Sequence, residues 1–576
     1  MAEQRIERVD DIPLILHWLK KMWIAEYIDV IWTPHGNREG LSYGQLAVLF
    51  ITYVVHSLNH RLSGMEDWVM KHKAVLQEVT GWEIDNKDAT DDRLGAMVGE
   101  LGGDSEKIID FQRQTGGHII QAYELPTELC RYDTTSFNVY HSPEKNDNAL
   151  LKFGYSKDKR PDLLQFKQGL GVLDPAGIPL FTETVAGNEG DDPLYVPAWR
   201  EMAKTIGHTD FLYIADSKAG ALETRATIDK EKGYYLFPLA MTGKVPEELT
   251  SAVLNPPAEV DEITLNDTGG DKEEPAVVGR GFVMEKDLEC SEGDDKHTWQ
   301  ERWLIVQSNA HGERQRKGLM DRLEKAEKKL KSLTAKKEES LVEFQGRVEK
   351  VLSQYSVEES ICVDVKEKTS QRKEYKKRGR PGPNSPYEMV EVRQLELDFH
   401  RNESVIEEQS ALAGWRVYVT NTAKERMSLQ QSVRYYRDEW RVERGMHRFK
   451  RGSLPALPLF LRIPERIKGL MLLLTIALQV LTLMEFVIRR ELAKRGETLS
   501  GLVPGNPKMK TARPTAERIL SQFKELNCLI EEKEGRVIGS MVEALTSLQK
   551  HILTLLKVPT DIYDLSFNRP AFREAA

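Results

Sequence analysis

Apolar positions recur with a helical period over residues 12–31 and 44–58, and the first 125 residues read as mostly helical. Gly102-Gly103 followed by Asp104 and Ser105 marks a break and a new helix start. At Leu129 the period changes. Tyr132-Asp133-Thr134-Thr135-Ser136-Phe137-Asn138-Val139-Tyr140 alternates and is rich in β formers, which predicts a strand. Beyond a polar loop at 141–163, the runs 169–174 and 178–185 flank Pro175-Ala176-Gly177 and read as a hairpin. Asp191 or Asp192 can cap a helix with Pro193 at its first position and its end near Gly207. A short apolar strand at 211–215 ends at Asp216, and a helix over 219–231 and a strand at 233–237 follow. Three strands, helix, strand, helix, strand is the order of an α/β sheet of mixed direction.

The pattern breaks over 240–411. An acidic stretch comes first and reads as exposed loop, with strands at 276–286 and 302–308. A charged helix over about 313–354 carries a thin apolar stripe, Leu319, Leu323, Leu330 and Leu333, as a solvated arm would. Lys376-Lys377-Arg378-Gly379-Arg380-Pro381-Gly382-Pro383 is extended by composition. Its Arg378-Gly379-Arg380-Pro381 has the shape of a minor-groove clasp, and equally that of a plain linker. Alternation returns at Trp415–Thr420, and a charged helix begins near Ser428. An apolar helix lies within 454–495, and two tail helices are expected at 514–533 and 536–557. The second tail helix carries a 3-4 seam of Ile538, Met541, Leu545, Leu548, Ile552 and Leu555, suited to a hairpin or a dimer contact. The resulting sections are a helical region at 1–125, a first sheet section at 126–240, an insertion at 241–411, a second core section at 412–495 and a helical tail at 496–576.

A chain of 576 residues, 40% apolar and 30% charged, is globular with more than one domain. Its four scattered cysteines offer no metal-ligand spacing and fit a reducing cytoplasm. The start, MAEQRIERVDD, has no signal-peptide pattern. The net charge of −9 is concentrated: residues 259–295 hold thirteen acids against three basic residues. Residues 313–337, by contrast, hold ten basic residues against four acids, and 372–380 hold six against one. Basic patches act over about 10 Å, so the net charge does not exclude DNA. The run from Gly469 to Ile488 is long enough to cross a bilayer. Gln479 and Glu485 favour a buried helix and no membrane.

The chemistry gathers on the late helix. Residues seven apart lie nearly above one another, so Tyr436, Glu443 and Lys450 form one stripe and Arg437, Arg441, Arg444 and Arg448 a cationic one. Asp133 lies in the first strand and Asp216 ends the fourth. If those strands are neighbours, both aspartates face one edge, where α/β sites form. Three carboxylates without His or Cys favour a hard ion, Mg²⁺ or Mn²⁺, and two such ions suit phosphodiester chemistry.

With these residues the chain resembles the DDE transposases of bacterial insertion sequences. Their third signature is Tyr, two residues, Arg, three residues, Glu, six residues, Lys. Tyr436, Glu443 and Lys450 match it, but Glu439 stands at the Arg position, with Arg437 close by. Tyr132-Asp133-Thr134-Thr135-Ser136 resembles the first-Asp strand and Ile214-Ala215-Asp216-Ser217 the second. Residues 154–162 resemble a basic loop of one branch that carries long insertions. The likeness covers roughly 125–240 and 412–490, with the insertion between the second Asp and the Glu.

The resemblance implies an RNase H-like mixed sheet interrupted by a large insertion, with helical N- and C-terminal regions, the first of them binding DNA ends. Asp133, Asp216 and Glu443 would hold two divalent ions. Water would cut at the element's end and the freed 3′-hydroxyl would attack target DNA, with many relatives moving by cut and paste. Tyr436, Arg437 and Lys450 would hold phosphates, and Lys157, Lys159 and Arg160 would grip the backbone. Double-stranded DNA is the implied partner, and joining two ends implies at least a homodimer. Trp299 and Trp303 read as core residues over base-stacking ones. A DNA-binding protein without cleavage is the alternative that Glu439 favours, and a membrane-anchored coiled-coil protein is the third reading.

Overall fold

The structure is a computed structural model and describes residues 3–33, 39–145, 148–266, 275–292, 295–336, 339–376, 382, 386–533 and 536–565. Its strands are β1 (Glu3–Arg8), β2 (Leu129–Val139), β3 (Leu164–Leu173), β4 (Ile178–Ala186), β5 (Leu212–Ala215), β6 (Tyr234–Pro238), β7 (Asp261–Asn266), β8 (Pro275–Glu292), β9 (Asp295–Ser308), β10 (Ile361–Tyr375), β11 (Tyr387–Arg401), β12 (Trp415–Thr420), β13 (Asn527–Lys533) and β14 (Arg536–Val542). Nine of them form one sheet in the order β4-β3-β2-β5-β6-β12-β9-β8-β7.

The five strands β2–β6 take the RNase H-like arrangement. β2, β3 and β4 pair antiparallel, with Gly177 at φ 68° in the β3–β4 turn. That left-handed conformation is one glycine adopts without strain. β5 pairs parallel with both β2 and β6, and the helices Tyr195–Ile206 and Leu222–Lys230 make the crossovers that parallel pairs need. The insertion then continues this sheet. β12 pairs antiparallel with β6 on one edge and β9 on the other, and β8 and β7 follow. Much of the acidic stretch expected as loop is therefore strand, and its Ile263 and Phe282 are buried.

Two other expectations change. The charged arm at 313–354 is two helices, Asn309–Lys331 and Leu341–Tyr355. Its thin leucine stripe is covered by Phe344, Val348 and Leu352 of the second helix, which makes a small separate core. The helical tail contains a hairpin: Ile538 and Met541 lie in β14, and of the seam only Leu548, Ile552 and Leu555 belong to a helix, Ser547–Leu556. Cys528 and Ile530 alternate into the core on β13, which also pairs with β1, so the two ends of the chain share a small sheet. The clasp Arg378-Gly379-Arg380-Pro381 lies outside the described residues.

The apolar run is part of a 32-residue helix, Pro464–Arg495, whose apolar window is wholly buried. A helix apolar on every face needs cover all round. β4 and the helices Tyr43–Ser57, Asp91–Gly103 and Ser547–Leu556 supply it. Two glycines set the closest crossing: a Cβ on Gly469 would lie 1.9 Å from the Val98 carbonyl oxygen, and one on Gly102 1.9 Å from that of Glu465. Glu485, 0% exposed, accepts from Arg444 at 2.6 and 2.9 Å, Arg448 at 2.6 Å and the Ala516 amide at 3.0 Å. Arg489 adds an ion pair at 2.9 Å. A buried charge persists only when it is paired in this way.

Candidate active site

The register of two strands positions the first two carboxylates. Tyr132 lies opposite Ala215 in the parallel β2–β5 pair, so Asp133 and Asp216 are the next residues along neighbouring strands. Side chains alternate along a strand, which sends both carboxylates to the same face. Asp216 then caps the turn Ser217–Gly220, accepting the Lys218 N–H at 3.0 Å, and the Tyr195 hydroxyl donates to its Oδ1. Asp133 Oδ1 accepts the Thr134 N–H at 2.7 Å and faces Lys157 Nζ at 3.6 Å. The basic loop therefore does reach the first aspartate. Its Asp158 pairs with Lys450 Nζ at 3.1 Å, which ties the loop to the late helix. Lys159 is exposed, and Arg160 is exposed and paired with Asp162 at 2.7 Å.

The late helix is not continuous as expected. It is two helices, Leu429–Arg437 and Trp440–Arg451, joined at Asp438-Glu439. Around the join, the Glu439 and Val442 amides bond to carbonyls three residues back, both at 3.1 Å. Asp438 is held at 2.6 Å by Arg441, three residues on. Arg441 also donates to Asp174 at 2.7 Å, and Asp174 is gripped by buried Arg131 at 2.8 and 2.9 Å, so the join is anchored at the end of β3. The second helix lies close on the sheet because Gly445 leaves room: a Cβ there would meet Leu170 at 3.0 Å and Leu478 at 3.1 Å.

The break separates residues that a straight helix would align. Tyr436 packs on Tyr418, ring centroids 4.6 Å apart, and hydrogen-bonds Glu439. Glu443 is exposed and Lys450 half-buried. The cationic stripe divides too. Arg441 goes to Asp174, Arg444 and Arg448 go to Glu485, and Arg437 alone is exposed. Those three arginines hold the fold together instead of forming a phosphate-facing row.

Four carboxylates nevertheless share one field. Burial pushes Asp133 up to about 6; Lys157 offsets part of this, and Asp216 and Glu443 add to it. Burial also pushes Glu439 up to about 7, with Asp133 adding, the Tyr436 bond and Arg131 opposing, and Asp216 adding again. Among the described residues no three His, Cys, Asp or Glu side chains form a ready ion cage. Lys157 and Tyr195 instead stand on the two aspartates. The donors still suit a divalent ion, being carboxylate oxygens whose mutual repulsion a cation would relieve. Glu439 is the residue that the signature spacing misses, since it stands at an Arg position.

Behind the site, the Tyr132 hydroxyl donates to Glu183 at 2.5 Å, and burial, partly offset by this bond, pushes Glu183 up to about 7. A folded-state value above the unfolded one means that stability is lost as pH rises between the two. Glu183→Gln, free of this loss, is expected to gain on wild type as pH rises from 5 to 8. The gain is on the order of 1–3 kcal/mol, and urea unfolding across that range measures it.

A cleft of about 580 Å³ opens beside Asp216 and is lined by Met241, His311, Trp415, Arg416 and Tyr436. Arg416, a single cation on an alternating strand, carried no sequence signal. Trp299 and Trp303 are buried, with indole N–H groups donating to Tyr235 at 2.9 Å and Glu301 at 3.0 Å, and so are core residues.

The Transposase DDE domain family matches residues 126–480. No curated protein matches the chain. Among solved structures, a piggyBac transposase synaptic complex with hairpin DNA aligns at 8% identity over 89% of this chain and 79% of that chain, with a TM-score of 0.33, and this likeness carries no argument. The family match runs across both aspartates, the insertion and the Glu443 helix, and the chain belongs to the DDE transposases, enzymes of the nuclease and transferase class.

Proposed function

We propose that the chain is the transposase of a bacterial insertion sequence, which cuts double-stranded DNA at the element's ends and joins them to target DNA by cut and paste. The observation that carries this reading is the β2–β5 register, which puts Asp133 and Asp216 side by side, with Glu443 close enough to raise Asp133. Asp133, Asp216 and Glu443 would hold divalent ions, two of Mg²⁺ or Mn²⁺, which supply charge stabilisation at the attacking and leaving oxygens. Water attacks phosphorus at the element's end, the P–O3′ bond breaks, and a 3′-hydroxyl is left on the element. That hydroxyl then attacks a target phosphodiester and displaces its 3′-oxygen.

The chain's other residues position DNA. Lys157, 3.6 Å from Asp133, could turn to a phosphate if that carboxylate held a cation, and Lys159 and Arg160 would extend the same loop. Lys450 and Arg437 add cations near the cut, and Tyr436 borders the cleft from the other side. Arg416, in that cleft, supplies the positive charge that Glu439 does not. Joining two ends requires at least two copies of the chain, working in the cytoplasm where the DNA lies.

The second reading, DNA binding without cleavage, is favoured by Glu439. Nicking of a plasmid that carries the element's ends separates the two. Wild type is expected to nick with Mg²⁺ and stop with a chelator, and Asp216→Asn is expected to be inactive. Nicking that persists in Asp216→Asn overturns the site, and binding without nicking supports the second reading.

A further inference from the structure

The insertion carries one element that the proposed chemistry does not use. β10 and β11 pair with each other alone, over fifteen residues each, so the ribbon is about 50 Å long. At its base Val363, Val365, Leu395, Leu397 and Phe399 pack on the insertion's helices. Beyond Val365 every residue of β10 is exposed, as are residues 387–391 of β11. An uncovered two-stranded ribbon is marginal in water, and the outer part of this one carries large side chains that are exposed among the described residues. Tyr375 is 40% exposed, and Tyr387 and Met389 are each 48% exposed.

The register assigns these residues to one face. Tyr375 lies opposite Tyr387 and Lys373 opposite Met389, all on the side that is apolar at the base. The two tyrosine rings meet edge to face at 6.0 Å, and Lys373 Nζ stands 4.3 Å over Tyr387. Arg372 projects from the opposite face beside Val390, and Lys376 lies at the end, 3.3 Å from Glu388. Residues 369–393 hold seven Lys or Arg against three acids, in a chain of net charge −9. Two such arms would repel one another, and basic residues on open strand edges disfavour edge pairing. A polyanion is the complementary partner, and apolar side chains flanked by cations suit a groove between two phosphate rows.

We propose that the outer half of the β10–β11 ribbon is a duplex-DNA arm, with Arg372, Lys373 and Lys376 on phosphates and Tyr375, Tyr387 and Met389 against the groove. The inference rests on the transposase reading and adds a contact remote from the carboxylates. It gives the enzyme a hold on DNA that requires no metal and no base sequence.

The test is fluorescence anisotropy of the full chain with a labelled duplex of arbitrary sequence, in chelator, over a salt series. R372Q/K373Q/K376Q is expected to weaken binding by about tenfold or more and to lower the salt slope by about 3, at roughly 0.9 per lost phosphate contact. Y375S/Y387S is expected to weaken binding with the slope unchanged. Light scattering and circular dichroism of both variants should match wild type, since the residues are exposed. Wild-type affinity and slope in both variants overturn the proposal. So does loss of dimer with unchanged DNA binding, which would make the ribbon a contact between two copies. A wild type that binds duplex but never nicks fails the catalytic reading alone, whereas one that binds no duplex overturns both.

Discussion

Glu443→Gln is expected to lower Mg²⁺-dependent nicking by about 10³-fold, roughly 4 kcal/mol of transition-state stabilisation, and to leave the unfolding midpoint unchanged. Glu443 is exposed, so its charge is not needed for packing, but it is near enough to add to the raised value of Asp133. Glu439→Gln is expected to cost less activity and to gain stability. Its carboxyl is pushed up to about 7 by burial, with Asp133 and Asp216 contributing, so losing the charge relieves a repulsion in the metal-free protein. Nicking should fall only about tenfold, or 1.4 kcal/mol, and stability should rise. Single-turnover nicking of both variants, with urea unfolding in chelator, checks the pair. If Glu439→Gln is the more damaging of the two, the third carboxylate lies one turn earlier than the signature places it.

The second large effect is on the fold. Glu485→Leu is expected to destabilise the protein by about 3–5 kcal/mol, because one partner of a buried ion cluster is removed. Arg444, Arg448 and Arg489 would be left around an apolar side chain, with Glu517, 2.9 Å from Arg448, as the remaining acid. Burial alone would raise Glu517, but Arg448 and the Ser453 hydroxyl hold it at about 2. Since Arg444 and Arg448 lie on the Glu443 helix, the variant should lose nicking at temperatures where wild type is still folded. Equal urea midpoints for variant and wild type would show that the cluster carries no net stability.

The core strands were legible because each is a short apolar or alternating run bounded by turn residues, and the β3–β4 hairpin announced itself through Pro175-Ala176-Gly177. Asp133 and Asp216 could be paired once the first and fourth strands were taken as neighbours. What local pattern could not show was pairing at a distance. Ile361–Tyr375 and Tyr387–Arg401 carry so many charges that nothing marked them as strands, and only their mutual register makes a ribbon. The tail seam failed similarly, since Ile538 and Met541 are three apart and satisfy a helical spacing although both lie in β14, where Met541 pairs with Leu529. The unbroken helix over 436–450 failed for a third reason. Its arginines looked like one surface row, and three of them answer to acids that are far away in sequence, Asp174 and Glu485.

The small sheet that joins the chain's two ends has a consequence for synthesis. β1 leaves the ribosome well ahead of its partner β13, which follows only after more than 500 further residues. At about 5–20 residues per second, the front strand waits roughly half a minute or longer with an open edge. A chain cut short before Asn527 keeps that edge open for good, so truncated products should be sticky and short-lived, whereas a finished chain closes the edge itself.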